Sequence, residues 1–443
     1  MTTLRSIPLL SLLVLMACPA ADTDPTDADP TDTDPVDPVA CIGEGAADSA
    51  LPDQDTCNSD PGITLGAAIT DPEAIGKPHH IRFADTQCMN GVGAEANSGI
   101  TLKIQPGAKR LVVYLQGGGL CVDDLTCAGV RNPNGLPTDV DTLLTRDWIL
   151  EGGTLFRDPP FDDAHQVFVH YCSGDFHAGQ QSRPVSAPGT AVDGRVYTGR
   201  ANMAAFLSRL VPTFGEGGPH AVDEVVLTGS SAGGFGTLMN YAFVQQAFGC
   251  TPVHAFIDSA PPLSDDIVLP CYQEDWAGLL NVDASVPADC PDCLFKDGQA
   301  DNLLPHLVGA YPGRRFGWYS STQDCVLRQL VSVPSPSCAP TPAAPTGDAF
   351  AGALRDIRQD LADEANFRMF LYPGDWHTVP IPPAGLGDAI KGPDAQSDRR
   401  LRDIEAGGVN LEAWLSGLVD ADEPWSHACE PDRAARDELT TCE

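Results

Sequence analysis

Basic residues are scarce in this sequence. It has 26 Lys and Arg against 61 Asp and Glu, a formal net charge of −35. A nucleic-acid partner needs a basic footprint, so none is expected. Long apolar runs are missing as well. Beyond the N-terminus, no stretch is apolar for the eighteen or more residues a membrane-spanning helix requires. There is no internal repeat, which excludes a solenoid or propeller array. Metal patterns are thin. Cys290-Pro-Asp-Cys293 has a zinc or redox spacing, but no second CxxC or His pair accompanies it, so it reads as a structural disulfide. No metal or organic cofactor is expected.

What is present starts with a leader. Arg5 supplies a positive charge, and Ile7 to Ala17 is an apolar segment of about ten residues, too short for a permanent span. It ends in Leu15-Met16-Ala17-Cys18, which resembles the lipobox of bacterial lipoproteins. Residues 1–17 are therefore read as a signal peptide, and Cys18 as a lipidated residue that anchors the chain to a membrane. Cleavage near Ala20 or Ala21, discarding Cys18, is the alternative. The next segment is Asp/Pro/Thr-rich. Ala21 to Val39 holds seven Asp and no basic residue. Like-charge repulsion and low hydrophobicity leave it nothing to bury, so 18–40 is expected to be an extended acidic tether. Residues 41–443 are expected to form one domain and the protein a monomer, exported as a cell-envelope lipoprotein or an extracellular protein.

Fifteen cysteines fit an oxidising compartment. With Cys18 lipidated, fourteen remain, enough for seven disulfides. Local spacing suggests Cys41–Cys57, Cys121–Cys127, Cys325–Cys338 and Cys429–Cys442.

Short apolar runs predict buried strands at 110–115, 166–170, 224–228, 254–257, 315–319 and 367–372. Continuous rather than alternating apolar residues suit a sheet covered on both faces. Helical patterns at 200–210 and 233–248 lie between them. The alternation predicts an α/β fold: a mostly parallel sheet with helices on both faces and disulfide-stabilised insertions. Pro334 to Pro345 is expected to be a surface loop.

The fourth-last of these strands runs straight into Gly229-Ser230-Ser231-Ala232-Gly233-Gly234, and a helical pattern follows. This is G-x-S-x-G between strand and helix, the setting in which a serine hydroxyl is thrust above a sheet as a nucleophile. Ser231 is the candidate. Ser230 occupies the variable position. The N–H of Ala232 is a candidate oxyanion donor at the positive end of a helix. Upstream, the strand ending at Leu115 leads into Gln116-Gly117-Gly118-Gly119-Leu120-Cys121. Glycines there let N–H groups face a developing oxyanion, and Gly118 and Gly119 are the candidate donors. The chain order nucleophile, acid, histidine then selects partners. His377, on a loop after a strong strand, is the candidate base; His427 is the runner-up and His306 a third possibility. Asp324 follows a strand and is the candidate acid. Asp258 also ends a strand, one strand early, and could instead tie down a loop. Asp375 lies too close to His377 in sequence to face its ring easily.

Together Leu115-Gln-Gly-Gly-Gly-Leu-Cys121, Tyr171-Cys-Ser-Gly-Asp175, Gly229-Ser-Ser-Ala-Gly-Gly234, Ile257-Asp-Ser259 and the strand-linked Asp324 and His377 resemble the pectin acetylesterase and Notum family of carboxylesterases. The resemblance implies an α/β-hydrolase fold with catalytic Ser231, Asp324 and His377, oxyanion donors Gly118, Gly119 and Ala232, and no cofactor. It departs from the family pattern at Gln116, where Glu is frequent, at Gly119-Leu120, which replace a bulky aromatic pair, and in the histidine loop. Asp175, His177 and Asp258 are candidates to line the cleft, and Tyr171 to Asp175 reads equally well as a disulfide-tethered turn through Cys172. The function implied is serine carboxylic-ester hydrolysis through an acyl-serine intermediate, most readily deacetylation of a polysaccharide such as pectin. Esters of lipids or small acyl groups are the alternative. A catalytically inactive, surface-displayed binding protein on the same scaffold is the reading from another class.

Overall fold

The apolar runs become strands of one nine-stranded sheet. The computed structural model describes residues 62–91, 96–139, 143, 153–335, 337–379 and 400–429. The leader, Cys18, the acidic tether, the Cys41–Cys57 pair and Cys442 lie outside the described residues. The strands are β1 (His79–Arg82), β2 (Gly99–Lys103), β3 (Arg110–Leu115), β4 (His165–Val169), β5 (Glu224–Ser230), β6 (Val253–Asp258), β7 (Phe316–Ser321), β8 (Phe367–Tyr372) and β9 (Ala428–Cys429). Their spatial order is β1-β2-β4-β3-β5-β6-β7-β8-β9. From β4 through β9 neighbours run parallel, whereas β1 pairs with β2 and β2 with β4 in antiparallel fashion.

Alternate residues of each strand enter two separate apolar cores. Leu111, Val113 and Leu115 of β3 face one core, with Val225 and Leu227 of β5. Val112 and Tyr114 face the other, with Val226 and Phe256. Two apolar faces require two covering layers. The first core is closed by the short α1 (Asp124–Gly129), α2 (Gly199–Phe214) and α3 (Ala232–Phe248), through residues such as Cys127, Phe206, Leu210, Phe235 and Leu238. The second is closed by a C-terminal helix, Leu411–Val419, whose Trp414 and Leu418 sit in that core. Gly317 of β7 is small for this reason: a Cβ there would come within 2.8 Å of the Trp414 ring. Burial of each such side chain contributes about 1.5–3 kcal/mol relative to exposure.

β1 and β2 were not legible as strands in the sequence. β1 reads His-His-Ile-Arg and is only partly buried at the sheet edge, and an edge strand carries polar side chains. The predicted Cys325–Cys338 bridge is also corrected. Cys338 pairs with Cys271 instead. The loop after Leu330 folds back over the helix Pro270–Leu280, with the Tyr272 hydroxyl donating to the Val333 carbonyl at 2.6 Å and Ser337 bound to Asp275, which brings Cys338 to Cys271. Cys121–Cys127 and Cys290–Cys293 pair as their spacing suggests, and Cys88 bridges to Cys172. Cys250, Cys325 and Cys429 are disulfide-bonded too. No helix among the described residues is long and apolar enough to cross a membrane.

The parallel strands share one carboxyl edge. Leu115 lies opposite Gly229, Ser230 opposite Asp258, and Ser321 opposite Tyr372. The turn from β5 into α3 is built by contact: a Cβ on Gly233 would run into the Leu115 carbonyl, and one on Gly229 into the Gly233 carbonyl. Gly233→Ala is therefore expected to cost about 3 kcal/mol or more, beyond ordinary overpacking. Thermal or denaturant unfolding checks it; a loss under about 1 kcal/mol would contradict the crossing described here.

Candidate active site

Ser231 is the residue at which β5 turns into α3. Its backbone sits at φ 58°, ψ −121°, a region that side chains disfavour. Of the seven described non-glycine residues with positive φ, Asn132 and Asn281 belong to a type that tolerates it. The other five are Phe176, His177, Ser231, Ser259 and Thr378. All five lie around this one carboxyl edge, and each such residue costs about 1–3 kcal/mol unless its surroundings over-determine it. Ser231 makes no side-chain cap to α3, so its hydroxyl stays available while its own N–H donates to the Asp258 carbonyl at 2.9 Å.

The glycine loop after β3 lies directly against the serine. A Cβ on Gly117 would approach the Ser230 carbonyl at 2.6 Å and Ser231 Cβ at 3.2 Å. The sequence pointed to Gly118 and Gly119 and passed over Gly117, which belongs to the same triplet and makes the close approach. Gly118 and Gly119 adopt φ of 149° and 82°. Ala232 is the first residue of α3, where N–H groups have no intrahelical acceptor. The helix dipole adds positive potential at that end.

Asp175 and His177 do not line an open cleft; they are 0% and 3% exposed. They belong to a brace beneath the glycine loop. His177 Nε2 donates to the Gln116 carbonyl at 2.8 Å, and the Gln116 Oε1 accepts the Tyr171 N–H at 2.9 Å. The Tyr171 hydroxyl donates to the Gly119 carbonyl at 3.0 Å and accepts the Phe176 N–H at 2.9 Å. Asp175 accepts from the Ser173 hydroxyl and from the Gly199 N–H at the start of α2. Burial pushes the Asp175 carboxyl up to about 6 and the His177 imidazole down to about 4. The disulfides Cys88–Cys172 and Cys121–Cys127 tie the two ends of this brace. The segment Tyr171 to His177 thus explains itself as support rather than surface.

Asp324 and His377 meet. His377 Nδ1–H donates to Asp324 at 2.9 and 3.1 Å. Asp324 is fully buried and also caps the helix Cys325–Leu330 by accepting the Leu327 N–H at 3.0 Å, which fixes its carboxylate plane. With Nδ1 engaged, Nε2 is the nitrogen left to accept a proton. Burial alone would lower the His377 pKa, but the charge and hydrogen bond of Asp324, with Asp258 behind them, outweigh it and raise it above the usual value. The loop carrying His377 is docked on the end of β6. Thr378 N–H donates to Ser259 Oγ at 3.0 Å, and Val379 N–H to the Asp258 carboxylate at 3.0 and 3.1 Å. Asp258 is 2% exposed, so it too is interior rather than cleft-lining. Ser259 was not singled out from the sequence, although it stands in the Ile-Asp-Ser motif.

His427, the alternative base, stands apart from the Asp324–His377 pair. Its Nδ1 accepts the Met369 N–H at 3.1 Å, inside β8 rather than beyond its carboxyl end. Burial, with Arg368 and Arg358 nearby, pushes it down to about 3. His306 Nε2 is paired with Asp289 at 3.4 Å on a separate helix. Among the described residues no cluster of His, Cys, Asp or Glu could hold a metal.

Against known proteins, the family model described as pectinacetylesterase matches residues 85–261. The chain is similar to the palmitoleoyl-protein carboxylesterase notum2 of Xenopus laevis, 31% identical over 172 residues, covering 37% of this chain and 31% of that protein. It is similar to NOTUM of Schmidtea mediterranea, 29% identical over 142 residues, covering 30% and 24%. The alignments thus span less than a third of these relatives' own length. Among solved structures, the Wnt deacylase Notum from Drosophila superposes with a TM-score of 0.52 at 17% identity, over 80% of this chain and 96% of that one. The fold is α/β-hydrolase-like, and residues 85–261 resemble the pectinacetylesterase family.

The buried brace has a pH signature. Between about pH 4 and 6 the folded chain keeps an Asp175 proton that the unfolded chain has released, so this group's contribution to stability falls as pH rises. Asp175→Asn removes that dependence. The variant's deficit relative to wild type should be smaller at pH 7 than at pH 4.5, by about 1–3 kcal/mol. Unfolding titrations at both pH values measure it, and an equal deficit would contradict the buried, proton-holding carboxyl.

Proposed function

We propose that this protein is an exported serine carboxylic-ester hydrolase that removes acetyl groups from a polysaccharide. The observation that carries the reading is the Asp324–His377 pair at one carboxyl edge with a strained Ser231 facing a glycine loop. His377 Nε2 takes the Ser231 proton as Oγ attacks the ester carbonyl. The N–H groups of Gly118, Gly119 and Ala232 receive the oxyanion. The alcohol leaves with the proton from His377, giving acyl-Ser231, and water activated by the same imidazole releases the acid. Asp324 holds the ring in its tautomer and balances the imidazolium.

Acetylated polysaccharide is favoured because the pectinacetylesterase family model covers both the glycine loop and the nucleophile turn. A net charge of −35 favours a neutral polymer over a polyanion. A second reading, hydrolysis of long-chain acyl esters, is favoured by the palmitoleoyl-protein carboxylesterases among the relatives. Rates on acetylated polymers and on p-nitrophenyl esters from two to sixteen carbons separate them. The disulfides fit an oxidising compartment, and lipidation at Cys18 is the proposed anchor. Cys18→Ser should release the protein from the membrane fraction; unchanged retention would refute lipidation.

Two further outcomes test the chemistry. Ser231→Ala should abolish fluorophosphonate labelling and lower kcat by about 10³-fold or more, with His377→Ala similarly inactive. Wild type that does not label would instead support the inactive binding protein. Because His377 must be neutral to act and its pKa is raised above 6.5, the acid limb of kcat/KM should have its midpoint above pH 6.5. A midpoint below 6 would contradict the Asp324 pairing.

A further inference from the structure

Asp258 takes no step in the chemistry above, yet it joins more of the site's segments than any triad member. Its backbone carbonyl holds the Ser231 N–H at 2.9 Å. Its carboxylate accepts the Val379 N–H with both oxygens, the Ser259 hydroxyl at 3.0 Å, and the Ser230 hydroxyl. Ser259 in turn holds the Thr378 N–H. One dipeptide at the end of β6 therefore grips the nucleophile by its main chain and the histidine loop by its side chains.

We propose that Asp258 is a positioning residue whose carboxylate clasps the His377 loop to the strand end carrying Ser231. The inference rests on the triad reading above and adds a second carboxylate to it.

The direction of the hydrogen bonds supports an anion at this position. The Tyr114 hydroxyl donates to Ser230 Oγ at 2.8 Å, which leaves the Ser230 proton for Asp258. Every side-chain contact of Asp258 is then a donor. The titratable groups facing it are Tyr114 from β3, Tyr319 from β7 and His377 from the loop after β8. Burial raises both tyrosines, and Asp258 raises them further, with Arg131 acting the other way on Tyr114 and Asp324 adding to Tyr319. Both tyrosines stay neutral, so His377 is the member of this group that gains charge opposite Asp258. Ser259 at φ 52° and Thr378 at φ 68° are strained on the two sides of the clasp, as expected where bonds over-determine a backbone. Burial holds the Asp258 carboxyl near 6, so the clasp loses its charge in mild acid.

The test is Asp258→Asn in the full chain, assayed with p-nitrophenyl acetate and normalised by fluorophosphonate titration of Ser231. The expected result is a fall in kcat of about ten- to hundredfold with KM little changed, as for a slightly misplaced base. The acid limb of kcat/KM should also move to lower pH, because a negative charge near His377 is gone. A kcat within about twofold of wild type and an unmoved limb would overturn the proposal. So would a loss that disappears on normalisation to labelled enzyme, since that reports folding alone. Ser259→Ala removes the Thr378 bond and leaves the charge. It should lower kcat severalfold with the limb fixed, and an unchanged kcat would overturn the clasp even if D258N fails to fold. Labelling of Ser231→Ala would instead mark failure of the triad reading itself.

Discussion

Three backbones cross almost in contact at the end of the central strands, and the rest of the site depends on that crossing. The Leu115 carbonyl, Gly229 and Gly233 approach so closely that no Cβ fits between them. This proximity brings the glycine loop after β3 against the Ser231 turn after β5. It also forces Ser231 into its positive-φ conformation, because the chain must reverse from strand to helix within one residue. An unfavourable local geometry is held by favourable packing around it: α3 is buried along nearly its whole length.

Support for the site comes from two independent systems of polar groups. On one side, Tyr171 to His177 and two disulfides brace the glycine loop from below. On the other, Asp258 and Ser259 hold the histidine loop. Both systems bury carboxylates whose pKa values rise to about 6 through lost hydration. Burying a charge is costly unless donors surround it, and both aspartates have several. The strained residues gather where these two systems meet the turn, which is the distribution expected when stability is exchanged for a fixed arrangement of reacting groups.

The central strands were legible because each is a continuous apolar run buried on both faces, and 367–372 matches its strand end to end. The turn at Ser231 was legible because steric demand for glycine is written locally. The edge strands were not, since half-exposed strands such as His79–Arg82 have no apolar signature. Long-range pairings were the other blind spot. Cys271 and Cys338 are 67 residues apart, and only the folding of the 331–346 loop over its neighbouring helix brings them together. Motif reading found Asp258 and His177 and left two places open, with both along the cleft or Asp258 tying down a loop. Sequence position shows that a residue follows a strand; it does not show which side of the backbone its side chain takes.

The stretch matched by the pectinacetylesterase family model, 85–261, ends just after β6. Asp324 and His377 come later, after β7 and β8. A fragment cut at the limits of that match would keep Ser231 and the glycine loop but lose both Asp324 and His377. It would also leave the far side of β6 without its neighbour, a bare row of N–H and C=O groups open to pairing with any other chain. The match therefore does not mark out a self-contained unit: the sheet that carries Ser231 continues through strands beyond it.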